Sequence, residues 1–171
     1  MQAEIRGLQL NQPLSRAISH QLCQQRVDFI LKLNRWTHFV TLTYSQPNGS
    51  YTIGKIEVLR RSRLFLSRLN RKIFGRHGCR RCGFRIGSCA VLGWGVYGDH
   101  PHTHWLLTKP LEMTDEEFNR LINVIASTTR GIGKERDIQT IFSDCVVEYL
   151  VNHGFEGWID QVTFAAKCPV R

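Results

Sequence analysis

Two segments carrying one apolar stripe each, residues 54–74 and the run beginning at Thr114, are set between four short β-branched runs. "HFVTLTY" (His38–Tyr44) is β-branched and aromatic throughout and reads as a strand. Residues 54–74 read as a helix whose buried side is Ile56, Leu59, Phe65, Leu66, Leu69 and Ile73. Residues 85–97 (RIGSCAVLGWGVY) form a second strand, glycine-rich enough to expect a bulge or a close backbone contact. A turn at Gly98–Pro101 leads into a third strand, His102–Thr108. Thr114 then opens a helix through a capping box, because Glu117 is the third residue after it. Phe118, Leu121, Ile122 and Ile125 give that helix an i, i+3, i+4, i+7 stripe. "GIGK" ends it, and "DIQTIF" (137–142) is a fourth strand. The order β-α-β-β-α-β is a split βαβ pattern. The expected class is therefore α+β, ferredoxin-like or RRM-like: an antiparallel sheet with two helices packed on one face and the other face available for a site.

Outside that unit, residues 14–34 read as an amphipathic N-terminal helix with Leu22, Val27, Ile30, Leu31 and Leu33 as apolar members. Ser143 caps a short helix through His153. "SQPNGS" is a turn by composition, and "RHGCRRCG" (76–83) is a loop. The 171 residues are expected to form one domain, with the helix at 14–34, a core from 38 to about 154 and a C-terminal extension over 155–171. No apolar run approaches the roughly 20 residues of a membrane span, and the N-terminus lacks a secretion-signal pattern. No membrane partner and a cytoplasmic location are expected, which leaves disulfides among the six cysteines unexpected.

Charge points towards polyanions. Lys and Arg number 23 against 14 Asp and Glu, a formal net charge of +9. Ten of the basic residues (Arg60, Arg61, Arg63, Arg68, Arg71, Lys72, Arg76, Arg80, Arg81, Arg85) fall between Arg60 and Arg85, with no acidic residue among them. A mixed charge run is usually a solvated helix face; with no carboxylate to neutralise it, this one reads as a phosphate-binding surface.

"GDHPHTHWLLTKP" (98–110) concentrates three of the seven histidines. Side chains alternate along a strand, so His102 and His104 share a face and can reach one cation. The plainer reading is a pair of partly exposed histidines at a strand edge. Asp99 and His100, just upstream, are two further potential ligands. Cys79 and Cys82, with His77 before and Cys89 after, offer half of a zinc spacing. A structural zinc takes four ligands, usually in two pairs, so a basic loop with free thiols is the preferred reading there.

With those residues in place, "FVTLTY" (Phe39–Tyr44), "HPHTHWLL" (His100–Leu107) and "EYLVNHG" (Glu148–Gly154) resemble the three ordered motifs of HUH-type single-tyrosine Rep endonucleases, the initiators of rolling-circle replication in small plasmids and phages. The resemblance spans residues 38 to about 154. It implies that His102 and His104 hold Mg²⁺ or Mn²⁺ and that Tyr149 attacks a DNA phosphodiester, leaving a 5′-phosphotyrosine and a free 3′-hydroxyl. It also implies single-stranded DNA or an origin hairpin as substrate, with a host or element-encoded helicase and polymerase as partners. No P-loop is present to supply unwinding within this chain.

The chain departs from the family pattern at three places. The usually bulky apolar residue between the histidines is Thr103. The family's lysine after the tyrosine is Asn152, a candidate phosphate contact. The acidic third ligand of the preceding strand is missing, and His153, one helical turn beyond Tyr149, is favoured to replace it, with His100 or Asp99 as alternatives. A ligand one turn beyond the tyrosine is similar to the compact single-tyrosine transposases, a second reading of the same site. From another class, a non-catalytic RRM-like nucleic-acid-binding module shares the fold, although the RRM aromatic signature is absent.

Overall fold

The computed structural model describes the backbone of residues 12–33, 35–45, 53–93 and 100–153, with the side chains of all these except 12–20, 33, 152 and 153. Its elements are α1 (Gln12–Leu33), β1 (His38–Tyr44), α2 (Lys55–Arg80), β2 (Ser88–Gly93), β3 (His102–Leu107), α3 (Asp115–Thr128), β4 (Ile132–Thr140) and α4 (Cys145–His153). The chain is a mixed α+β structure in which the four strands make one sheet in the order β2-β3-β1-β4, every neighbouring pair antiparallel. Among the described residues no helix is long and apolar enough to cross a membrane.

Strand alternation divides the apolar residues between two cores. One face of the sheet offers Val40, Leu42, Tyr44, Ala90, Leu92, Trp105 and Leu107, which pack with Val58, Phe65 and Leu69 of α2 and Phe118, Ile122 and Ile125 of α3. The opposite face offers Phe39, Cys89, Val91 and Leu106, which pack with Val27 and Ile30 of α1 and Val147, Leu150 and Val151 of α4. The expected bare face is therefore half covered. Burial of its apolar residues, at about 25 cal/mol per Å², is what brings α1 and α4 onto it.

The capping box of α3 is present, Thr114 Oγ1 accepting from the Glu117 amide at 3.2 Å and Glu117 Oε2 accepting from the Thr114 amide at 2.9 Å. Other expectations need correction. α2 runs past residue 74 to Arg80, through a kink at Gly75, whose φ of 70° is left-handed and accommodates the change of direction. So Arg76–Arg80 are helical rather than loop. Ile56 and Leu22, read as apolar-face members, are 85% and 46% exposed, near the start of α2 and on α1 respectively. β4 begins at Ile132, five residues before the expected start, because Gly131 (φ 85°) makes the turn and the polar stretch after it pairs with β1. β2 spans Ser88–Gly93, and its expected continuation through 97, like the "SQPNGS" turn and the 155–171 extension, lies outside the described residues.

Candidate functional site

β3 lies inside the sheet between β2 and β1, and its register sets the surroundings of the two histidines. His104 pairs with Val91 on one side and Thr41 on the other, and His102 pairs with Gly93 and Thr43. Both have the strand parity of Leu106, so they stand on the face that α1 and α4 partly cover. Their rings are 4.8 Å apart between centroids, at 72°.

Each ring is oriented through Nδ1. His102 Nδ1 is 3.0 Å from the carbonyl oxygen of His100. A carbonyl can only accept, so this nitrogen carries the proton, and the neutral ring has its lone pair on Nε2. His104 Nδ1 is 3.0 Å from Thr41 Oγ1. Outer partners of this kind are what orient imidazole ligands at metal sites. Gly93 also has a specific part: a methyl there would collide with Nε2 of His102, so the ring occupies the space a side chain would take. Nothing in the sequence marks out Thr41, and the close contact expected somewhere in the glycine-rich strand falls at Gly93. Both lie inside segments read correctly as strands, but only the pairing register puts them beside the histidines.

α4 brings Tyr149 to this pair. Val147, Leu150 and Val151 are buried against the sheet, as their spacing predicts, and Tyr149 emerges 42% exposed beside them. Its ring lies 5.6 Å from that of His104 at 79°, and 5.9 Å from that of Phe39 at 85°. Phe39 in turn stacks on His104 at 5.4 Å and 13°. A histidine, a tyrosine and a phenylalanine from three elements therefore form one aromatic cluster, with His104 itself only 7% exposed.

The polar Thr103 between the histidines has a structural reason. It points into the opposite core, where Trp105 Nε1 donates to its Oγ1 at 2.8 Å and Tyr44 Oη lies 2.8 Å from the same oxygen. Tyr44 Oη also meets Ser62 Oγ at 2.6 Å, closing a satisfied buried chain. Burial pushes the Tyr44 phenol above its ordinary pKa, and these bonds commit it to the core.

The remaining candidate ligands divide. His100 is described and exposed, immediately before β3. Asp99 and the side chains of Asn152 and His153 lie outside the described residues. Among the described residues no group of three or more His, Cys, Asp or Glu is gathered to hold a metal ion. Cys79 is buried and Cys82 exposed near the end of α2, while Cys89 belongs to the sheet, where burial pushes its thiol up to about 12. A thiol so held is an apolar core group.

The basic run separates into structural and exposed members. Arg61, 8% exposed, donates from Nη1 to the carbonyls of Ser45 and Gly131, each at 2.8 Å, and from Nε to Glu57 at 2.8 Å. Arg60, although exposed, is also paired with Glu57, whose carboxyl the two guanidiniums hold down to about 2. Arg68 donates to the carbonyl of Thr128, and Arg85 to those of Cys79 and Phe84. Arg63, Arg71, Lys72, Arg76, Arg80 and Arg81 are exposed. Because α2 packs on the other core, this basic surface and the histidine pair lie on opposite sides of the sheet.

Comparison of the chain with protein-family models, with curated proteins and with solved structures finds no match in any of the three.

Proposed function

We propose that this chain is a metal-dependent HUH-type endonuclease and strand transferase that nicks single-stranded DNA through a covalent 5′-phosphotyrosine, starting rolling-circle replication. The observation that carries this reading is the approach of the Tyr149 ring to within 5.6 Å of the His104 ring. Burial of Val147, Leu150 and Val151 lays α4 on the histidine face, and the half-exposed Tyr149 beside them is thereby placed where a nucleophile serving the H-x-H pair would stand. The sheet order, read from its other edge as β4-β1-β3-β2, and the all-antiparallel pairing support a ferredoxin-like arrangement beneath the site.

The donors fit a catalytic cation in that two imidazoles share a strand face and both are oriented at Nδ1. When bound at His102 and His104, Mg²⁺ or Mn²⁺ supplies Lewis-acid polarisation of the scissile phosphate. His153 is favoured as third ligand, with His100 or Asp99 in reserve. The chain's own residues do the rest. Phe39 packs against Tyr149 and His104 together and holds the phenol near the histidine pair. Tyr149 Oη forms a bond to phosphorus as the bond from phosphorus to the 3′-oxygen breaks, and the departing 3′-oxygen ends protonated by the proton the phenol gives up. The new ester keeps the phosphodiester energy, so attack by a 3′-hydroxyl reverses the step and rejoins ends. Exposed Arg63, Arg71, Lys72, Arg76, Arg80 and Arg81 attract the phosphate backbone. Asn152 is the residue we assign to a phosphate contact, on its position in the sequence three residues after Tyr149. A separate helicase and a polymerase complete the pathway, with the cytoplasm as its setting.

The deciding experiment is incubation with short labelled single-stranded oligonucleotides and Mn²⁺. A covalent adduct mapping to Tyr149 is expected. An adduct on another tyrosine, or none with any oligonucleotide, overturns the reading.

A further inference from the structure

A cavity of 630 Å³ opens where the end of α1 meets the start of α4. Its walls include Lys32, Arg35, Trp36, Phe142 and Asp144. It lies on the same side of the sheet as the histidine pair, since Leu31, Trp36, Ile141 and Val147, which also line it, belong to the α1–α4 core.

Two of its features face solvent side by side. Phe142 is 93% exposed, directly ahead of the helix that carries Tyr149, so a whole apolar ring faces water. Lys32 and Arg35, both exposed, project beside it against the one carboxylate of Asp144. Trp36 is committed elsewhere, its Nε1 donating to the Ile30 carbonyl at 2.9 Å, and forms a rigid wall. An exposed aromatic face beside basic side chains is the arrangement that single-stranded nucleic acid uses, bases stacking on the ring and phosphates meeting the cations. Protein ligands that bury phenylalanine have little use for two flanking cations. A small anion has no use for the ring.

We propose that this cavity seats an unpaired nucleotide flanking the cleavage point, its base stacked on Phe142 and its phosphate between Lys32 and Arg35. The proposal rests on the single-stranded DNA reading above and deepens it. The spacing suits it: α4 begins at Cys145, three residues after Phe142, and Tyr149 lies four residues into that helix, a rise of roughly 6 Å, so the ring and the phenol stand on one short continuous segment. The cavity would thus fix the register in which a strand reaches the tyrosine, a task the basic face of α2 on the far side of the sheet cannot perform.

The test uses the full chain and degenerate short single-stranded DNA, with binding read by fluorescence anisotropy in EDTA and nicking read with Mn²⁺. Phe142→Ala should weaken binding by roughly 5- to 150-fold, the range for one lost stacking contact, and Phe142→Trp should restore it. Lys32→Ala with Arg35→Ala should weaken binding and flatten its salt dependence. Photocrosslinking of a strand carrying 4-thiothymidine should attach it to the peptide containing Phe142. A wild-type chain that binds and nicks while Phe142→Ala matches it and no crosslink reaches Phe142 overturns the subsite alone. A wild-type chain that neither binds nor nicks single-stranded DNA overturns the parent reading and the subsite with it.

Discussion

Tyr149 and His104 meet edge to face at 5.6 Å, one from the last described helix and one from an inner strand, with Phe39 packed against both. The contact depends on α4 lying over the sheet, which follows from burial of Val147, Leu150 and Val151.

Removing the proposed nucleophile without disturbing its surroundings separates chemistry from binding. Tyr149→Phe keeps the ring contacts with His104 and Phe39 and should abolish the covalent adduct on denaturing gels, while leaving oligonucleotide affinity within about twofold. His102→Ala should lower nicking by roughly 100-fold or more, given the several kcal/mol that a Lewis acid supplies, again with binding retained.

The outer partners of the histidines should matter nearly as much. Thr41→Val removes the hydroxyl at Nδ1 of His104, and Gly93→Ala puts a methyl where the His102 ring sits. Each should weaken Mn²⁺ binding by about 10- to 100-fold, measured by titration against Mn²⁺ electron paramagnetic resonance, with the helical circular dichroism signal unchanged.

Metal preference follows from the donors. Two imidazoles suit Mn²⁺ better than Mg²⁺, which prefers an all-oxygen shell. Nicking should stop in EDTA and return faster with Mn²⁺ than with Mg²⁺ at equal concentration. Equal rates with Ca²⁺, or full activity in EDTA, would contradict the proposed role of the pair.

Within the basic run, stability and binding should separate by residue. Arg61→Ala leaves two carbonyls and part of Glu57 without their partner and should cost about 2 kcal/mol in urea unfolding. Arg63→Ala and Arg71→Ala, at exposed positions, should stay within about 0.5 kcal/mol of wild type. If those arginines contact phosphates, each replacement should reduce the slope of log affinity against log salt by about 0.7.

His38 gives the pH dependence of the fold. Burial holds its pKa below the ordinary 6.5, against the opposing pull of Asp115, whose carboxylate is 4.0 Å away, and with Lys109 adding to the depression. Above 6.5 the ring is neutral in both folded and unfolded chains. As pH falls below 6.5 the unfolded chain binds the proton first, so stability should decline until the pH reaches the lower folded pKa. The unfolding midpoint should therefore drop on going from pH 7.5 to below 6.5 in wild type and drop less in His38→Gln.

The amphipathic stripe and capping box of α3 were legible because each is a local pattern of a few residues, and the structure reproduces both. The strand pattern of β1 and the pairing of His102 with His104 on one face were legible for the same reason: strand alternation is fixed by backbone geometry. β4 was read five residues short because its first half, with Lys134, Glu135 and Arg136, lies along a sheet edge and carries no apolar alternation. Arg61 looked like its neighbours in a row of arginines, and nothing local distinguishes a guanidinium that will cap two loops from one that will face solvent.

Residue order by itself determined the β-α-β-β-α-β succession and the types of side chain available: two histidines on one strand face, a tyrosine on an amphipathic helix, a strongly basic helix. Tertiary structure decided which of these meet. Strand register put Thr41 and Gly93 beside the histidines, burial of one stripe laid α4 on their side of the sheet, and the stripe of α2 sent the arginines to the other. Each of these is a long-range choice, made by whichever pairing buries the most apolar surface while leaving few buried polar groups unmatched, and no window of neighbouring residues contains it.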